Sequence, residues 1–178
     1  MKTAKEMYEY MKERNFGSGM TRKWAEKHFG LIENNLGSDE NVLMAFMGLH
    51  NFESMTKHDS NYAYVITNKR LICAQKQLIG EKFTTVFLEN LNDVSMNKGI
   101  AMASLIIDTL KEKIKVGLAK NEGHAIQDEI HAVLQRVKNK TKSQNVTSDA
   151  DELIKFKQLL DAGVITQEEF DMKKSQIF

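Results

Sequence analysis

Residues 61–75 read NYAYVITNKRLICAQ, two apolar runs on either side of the polar stop Thr67-Asn68-Lys69-Arg70. Tyrosine, valine and isoleucine suit a pleated surface. Asparagine tolerates positive φ and so suits a tight connection. The stretch predicts an antiparallel hairpin of 61–66 against 71–75. On its N-terminal side the hydrophobic period changes to two from Glu40, so NVLMAFMGLHNF at 41–52 predicts a preceding strand. On its C-terminal side Ile79-Gly80-Glu81 marks a turn, and strands are predicted over 82–88, 93–97, 100–108 and 112–118. In the last of these Ile114, Val116 and Leu118 alternate with Lys113, Lys115 and Gly117, as in a half-buried antiparallel strand.

The period returns to that of a helix over 121–137, where Ile126, Ile130, Val133, Leu134 and Val137 form one stripe. Ile130 and Val133 are therefore expected to be buried against the sheet. Seven short strands followed by an amphipathic helix predict an α+β fold: a bent antiparallel barrel with the helix closing one opening. Before the strands the chain reads as helical. A weak stripe at Met7, Tyr8 and Met11 is followed by a loop holding Gly17 and Gly19. Thr21 then stands ahead of Trp24, His28, Leu31 and Ile32 on one face, and Gly37 marks the stop. NKTKSQNVTS at 139–148 is polar and aperiodic and reads as a flexible linker. The expected organisation is an N-terminal helical arm (1–37), a barrel domain (38–138), a linker (139–148) and a helical hairpin (149–178).

That last hairpin is read from DADELIKFKQLLDAGVITQEEFDMKKSQIF. Leu153, Phe156, Leu159 and Leu160 share a helical face, Gly163 ends the helix, and Thr166 with Glu169 three residues later marks a new start. The second helix offers only Phe170 and Ile177 as large apolar anchors. Chains below about 40 residues seldom bury enough surface to fold unaided, so this tail is expected to dock. Leu153, Phe156, Leu160, Ile165 and Phe170 are the expected partner- or oligomer-binding residues.

Two stretches carry family resemblances. LIKFKQLLDAGVITQEEF, with its helix, D-A-G-V-I-T turn and E-E-F start, resembles the SHOCT (short C-terminal) domain. That resemblance implies oligomerisation or partner docking rather than catalysis. DENVLMAFMG, YVITNKRLIC and FLENLNDVSMNKG, together with the strand pair before the closing helix, resemble the bacterial PH-like domains, in particular the YokE-like branch, over 36–137. This resemblance implies a PH-type barrel with a binding or assembly role and supplies no catalytic residues.

Composition narrows the classes further. The charge is nearly balanced, 25 basic against 24 acidic residues, which argues against a diffuse attraction to nucleic acid or membranes. The single cysteine, Cys73, and the lack of a signal-peptide pattern favour a reducing cytoplasm. No run approaches eighteen apolar residues, so no membrane span is expected. Proline is absent, which favours regular elements joined by glycine and asparagine turns.

No nucleotide-binding glycine loop or nucleophile elbow occurs. His124, Asp128 and His131 have a spacing that can hold a metal, but they lie opposite the apolar stripe and are expected to form a solvated face. Cys73, between Ile72 and Ala74, is expected to be a buried structural thiol, and Trp24 a core residue. The loop NFESMTKHDSN offers only Lys57 and His58 beside Glu53 and Asp59, and Lys69 and Arg70 read as a solvated turn, so no phosphate clamp is implied. Lys111, Lys113, Lys115, Lys120, Arg136, Lys138, Lys140 and Lys142 lack the interleaved aromatics of a single-strand platform. The expectation is a non-enzymatic scaffold without cofactor, metal or small-molecule substrate, whose partner is itself or another protein. The rivals are a peripheral lipid-headgroup binder and a nucleic-acid-associated factor of phage origin.

Overall fold

Strand β1 (Val42–His50), VLMAFMGLH, is buried on both faces from Met44 to Gly48. An antiparallel strand buried on both faces needs a cover on each. Inside the sheet, Phe46 stacks on Tyr64 of β2 (Asn61–Thr67) with ring centroids 4.9 Å apart. The outer cover comes from α1 (Ala4–Arg14) and α2 (Arg22–Glu33), whose Met7, Met11, Phe29 and Ile32 join the core. The helices expected as an arm are thus part of the same core as the sheet. Strand β3 (Arg70–Lys76) is buried on both faces in the same way. The computed structural model describes residues 1–17 and 19–177, and the side chains of all of these except 143–150 and 177.

The sheet continues with β4 (Glu81–Phe87), a 3-10 turn (Leu88–Asn90), β5 (Leu91–Lys98), β6 (Met102–Thr109) and β7 (Lys113–Ala119). All seven strands pair antiparallel in the order β4-β3-β2-β1-β7-β6-β5, a half-barrel whose two edges are β4 and β5. The expected strands are all present, within about two residues of their predicted ends. Alternation survives where one face meets solvent, as in β6, whose residues alternate between partly and fully buried.

β1 meets β7 only at Leu49↔Gly117 and His50↔Val116. The rest of its edge needs other partners, because buried amides seldom go unpaired. The N-terminal segment supplies them: the Val42 N–H donates to the Met1 carbonyl and the Met47 N–H to the Phe16 carbonyl, both at 3.0 Å.

Helix α3 (Gly123–Asp161) buries Ile126, Ile130 and Val133 in the core, as expected. Its Gln127 Nε2 donates to the Val94 carbonyl of β5 at 3.2 Å, and His131 Nε2 approaches the same oxygen at 3.1 Å. Tyr10 of α1 donates its hydroxyl proton to Glu129 at 3.2 Å. His131 is exposed, as expected of that polar face, and its ring also meets this carbonyl.

One expectation needs correction. The backbone of 139–148, predicted to be a flexible linker, is helical and continues α3. No glycine or proline occurs between Gly123 and Gly163, and lysine and glutamine are good helix formers, so nothing local stops the helix. Lack of apolar periodicity marks the absence of a buried face and not the absence of a helix. The side chains of 143–148, and that of the expected anchor Ile177, lie outside the described residues. The chain divides into a compact unit over Met1–Leu134 and a second beginning at Gln135.

Candidate functional site

The hairpin turn inside VITNKRL is locked by charge. Glu40, only 2% exposed, accepts from the Thr67 hydroxyl at 2.8 Å, from Arg70 Nε and Nη2 at 2.8 Å each, and from the Gly37 N–H at 3.1 Å. Thr67 Oγ1 in turn accepts from the amides of Lys69 and Arg70, at 3.1 and 2.9 Å. Asn68 bonds Asp39 and Asn41 through its side chain, and Lys69 Nζ lies 2.6 Å from Asp39 Oδ2.

The segment DEN (39–41) and the segment TNKR (67–70) are therefore two halves of one latch. Asn68 serves by these side-chain bonds and not by positive φ, which among the described non-glycine residues occurs at Asn15, Asn51 and Ser60. Arg70, expected to be solvated, has a mostly buried side chain. Lys57 pairs with Glu53 at 2.5 Å, so Lys57, Lys69 and Arg70 each have a carboxylate of their own chain as partner.

Burial alone would raise the Glu40 pKa, but hydrogen bonds from Arg70, Gly37 and Thr67 and the Arg70 charge outweigh it and bring it from 4.5 down to about 2. A depressed carboxylate stabilises the fold above its unfolded pKa, and that contribution disappears as pH falls from about 4.5 towards 2. The shift corresponds to about 3 kcal/mol. Melting curves between pH 7 and 2.5 should show this loss in the parent and a flatter profile in Glu40→Gln. Parallel profiles would remove Glu40 as the cause.

Among the described residues no group of three or more metal-ligating side chains gathers. Cys73 is buried opposite Thr84, and burial pushes its thiol pKa up, away from nucleophilic character. Trp24 is half-buried and stacks on the buried His28 at 3.8 Å.

The C-terminal hairpin remains. Helix α3 stops at Asp161, and Gly163 has φ +68°. The Gly163 N–H reaches the Leu160 carbonyl and the Val164 N–H the Leu159 carbonyl, both at 2.9 Å, a Schellman closure. Helix α4 (Gln167–Ile177) opens on a reciprocal capping box. The Glu169 N–H donates to Thr166 Oγ1 at 3.3 Å, and the Thr166 N–H donates to Glu169 Oε2 at 2.8 Å. Lys173 of α4 pairs with Glu152 of α3 at 2.9 Å and lies 5.4 Å over the Phe156 ring.

Such exposed pairs contribute about 0–1 kcal/mol each and set orientation rather than stability. Leu153, Phe156, Leu160, Ile165 and Phe170 are all half-buried, whereas Ile154, Leu159, Val164 and Met172 are exposed. From Gln135 onward none of the described residues is fully buried. Leu159 was legible as part of the helical stripe. Val164 and Met172 have no periodic signal to mark them.

The family model for the bacterial PH domain matches residues 36–131, and that for the short C-terminal domain, SHOCT, matches residues 151–177. A search of curated proteins finds no match. Among solved structures, the Vps36 N-terminal PH domain is 16% identical, covering 58% of this chain and 86% of that one, with a TM-score of 0.45. A DUF1696 family protein with a pleckstrin-homology domain from Shewanella loihica PV-4 is 20% identical, covering 57% and 88%, with a TM-score of 0.41. The hSac2 domain of the human phosphoinositide phosphatase Sac2 is 12% identical, covering 62% and 77%, with a TM-score of 0.47. With more than half of its length matched by the one model and its tail by the other, the chain belongs to the bacterial PH domain family and carries a SHOCT domain at its C-terminus.

Proposed function

We propose that this is a non-enzymatic scaffold in which the SHOCT hairpin joins copies of the chain, or joins the chain to another protein, while the PH-type unit serves as the binding body. PH-like domains are typically non-catalytic binding modules, and both modules are present. The observation that carries the reading is a C-terminal unit with no fully buried residue among those described. Leu153, Phe156, Leu160, Ile165 and Phe170 keep part of their apolar surface in water. Completing the burial of such a side chain contributes part of the roughly 1.5–3 kcal/mol of a full transfer, so several together offset the entropy of association. Self-association is the leading form. A reducing, cytoplasmic setting fits the single buried cysteine.

Light scattering on the full chain, on a chain lacking 149–178 and on Phe156→Asp/Phe170→Asp tests this. Both variants should keep the melting transition of the first unit and lose molar mass. Equal masses in all three would remove self-association through the hairpin. Liposome co-sedimentation and salt titration of nucleic-acid binding address the rivals, and neither is expected to show saturable binding.

A further inference from the structure

An open sheet has two edges, and unguarded edges recruit other strands. The β5 edge is guarded in three ways. Its register shifts between Leu91 and Asp93, its sequence LNDVSMNK is mostly polar, and its Val94 carbonyl is met by Gln127 and His131 of α3. The β4 edge shows no register shift. It pairs with β3 residue by residue from Arg70↔Phe87 to Lys76↔Glu81 without a bulge. After Glu81 and Lys82 it reads FTTVF, five uncharged, β-prone residues, with Thr84 and Thr85 exposed. Next to it lie exposed apolar groups: Leu78 at 98% and Ile79 at 89% in the β3–β4 tip, with Phe87 at 55% at the far end of the strand.

We propose that β4 pairs antiparallel with β4 of a second copy of this chain, about a two-fold axis through Thr84. The register follows from the side chains. Centred on Thr84, all seven strand residues find a partner: Thr84 with Thr84, Phe83 with Thr85, Lys82 with Val86 and Glu81 with Phe87. Threonine–threonine and aromatic–β-branched pairs are favourable, and no like charges stand opposite one another. Centring on Thr85 sets Glu81 opposite Glu89, and centring on Phe83 leaves Val86 and Phe87 unpaired within the strand. In the Thr84 register the tip of one copy lies beside Phe87 of the other, which covers Ile79 and Phe87 at both ends of an isologous contact. This contact is independent of the hairpin.

The test uses full-length chain carrying Phe156→Asp/Phe170→Asp, which removes the hairpin's contribution, and measures mass by sedimentation against concentration. This parent should dimerise, at twice 20.4 kDa. Thr84→Lys and Thr84→Asp, added separately, place like charges opposite each other on the axis and should each weaken the dimer roughly tenfold or more. Their equimolar mixture should recover a dimer, since lysine then faces aspartate. Unchanged thermal melts confirm that the variants fold. A Thr84→Lys variant with the mass of its parent, or a mixture that stays monomeric, overturns the pairing. A monomeric parent beside an oligomeric wild type overturns it too and leaves the hairpin reading intact. A dimeric parent with the wild-type mass instead contradicts the hairpin.

Discussion

Replacing Arg70 with leucine is expected to destabilise the first unit by about 3–5 kcal/mol, because it leaves the buried Glu40 carboxylate without its counter-charge. For a chain of this length that corresponds to a fall in melting temperature on the order of 10 °C. The sign of the second half of the cycle differs. Glu40→Leu combined with Arg70→Leu removes both charges, so the double variant should be more stable than Arg70→Leu alone. This follows because the desolvation of a buried pair roughly cancels its attraction, whereas an orphaned charge has nothing to set against that cost. Calorimetry of the parent, both single variants and the double variant decides it. An Arg70→Leu protein melting within two degrees of the parent would show that the latch does not hold the turn.

The second large effect concerns the closing helix. Ile130 is 1% exposed and Val133 is 0%. An aspartate at either site gives up its hydration, at a cost of several kcal/mol. The first unit should then lose its cooperative transition at temperatures where the parent is folded, with α3 released from the Val94 carbonyl. Hydrogen exchange would report this as loss of protection in α3 together with β5. Protection and melting within a degree or two of the parent would mean that the first turns of α3 contribute little to the core.

The contrast between these two predictions shows where the sequence is informative. Ile126, Ile130 and Val133 repeat at helical spacing, so a burial pattern is visible within a dozen residues. Glu40 and Arg70 are thirty positions apart, and nothing local marks a carboxylate as paired. The residues of the latch were recognisable as family signature, DENV and VITNKRL, but their mutual bonding was not. Arg70 consequently read as solvated. The same limit applies to β1, which reads as a period-two strand but is buried on both faces from Met44 to Gly48, with nothing local to say what provides the outer cover. Phe29, which helps form that cover, stands one position outside the face predicted from Trp24, His28, Leu31 and Ile32.

The tail was legible through local rules that act over three to six residues: the glycine closure at Gly163 and the Thr166–Glu169 box. Its five proposed docking residues share one degree of partial burial, and such a state depends on what lies outside the chain as much as on its own residues. The segment 139–148 misled because helix formation there rests on backbone propensity alone.

In the proposed reading the chain self-associates, chiefly through apolar surface that its own hairpin does not hide. Sedimentation velocity on the unmodified full-length protein, from low micromolar to hundreds of micromolar, measures this most directly. The average mass is expected to rise with concentration above the 20.4 kDa of one chain. A mass fixed at 20.4 kDa across the whole range would contradict it.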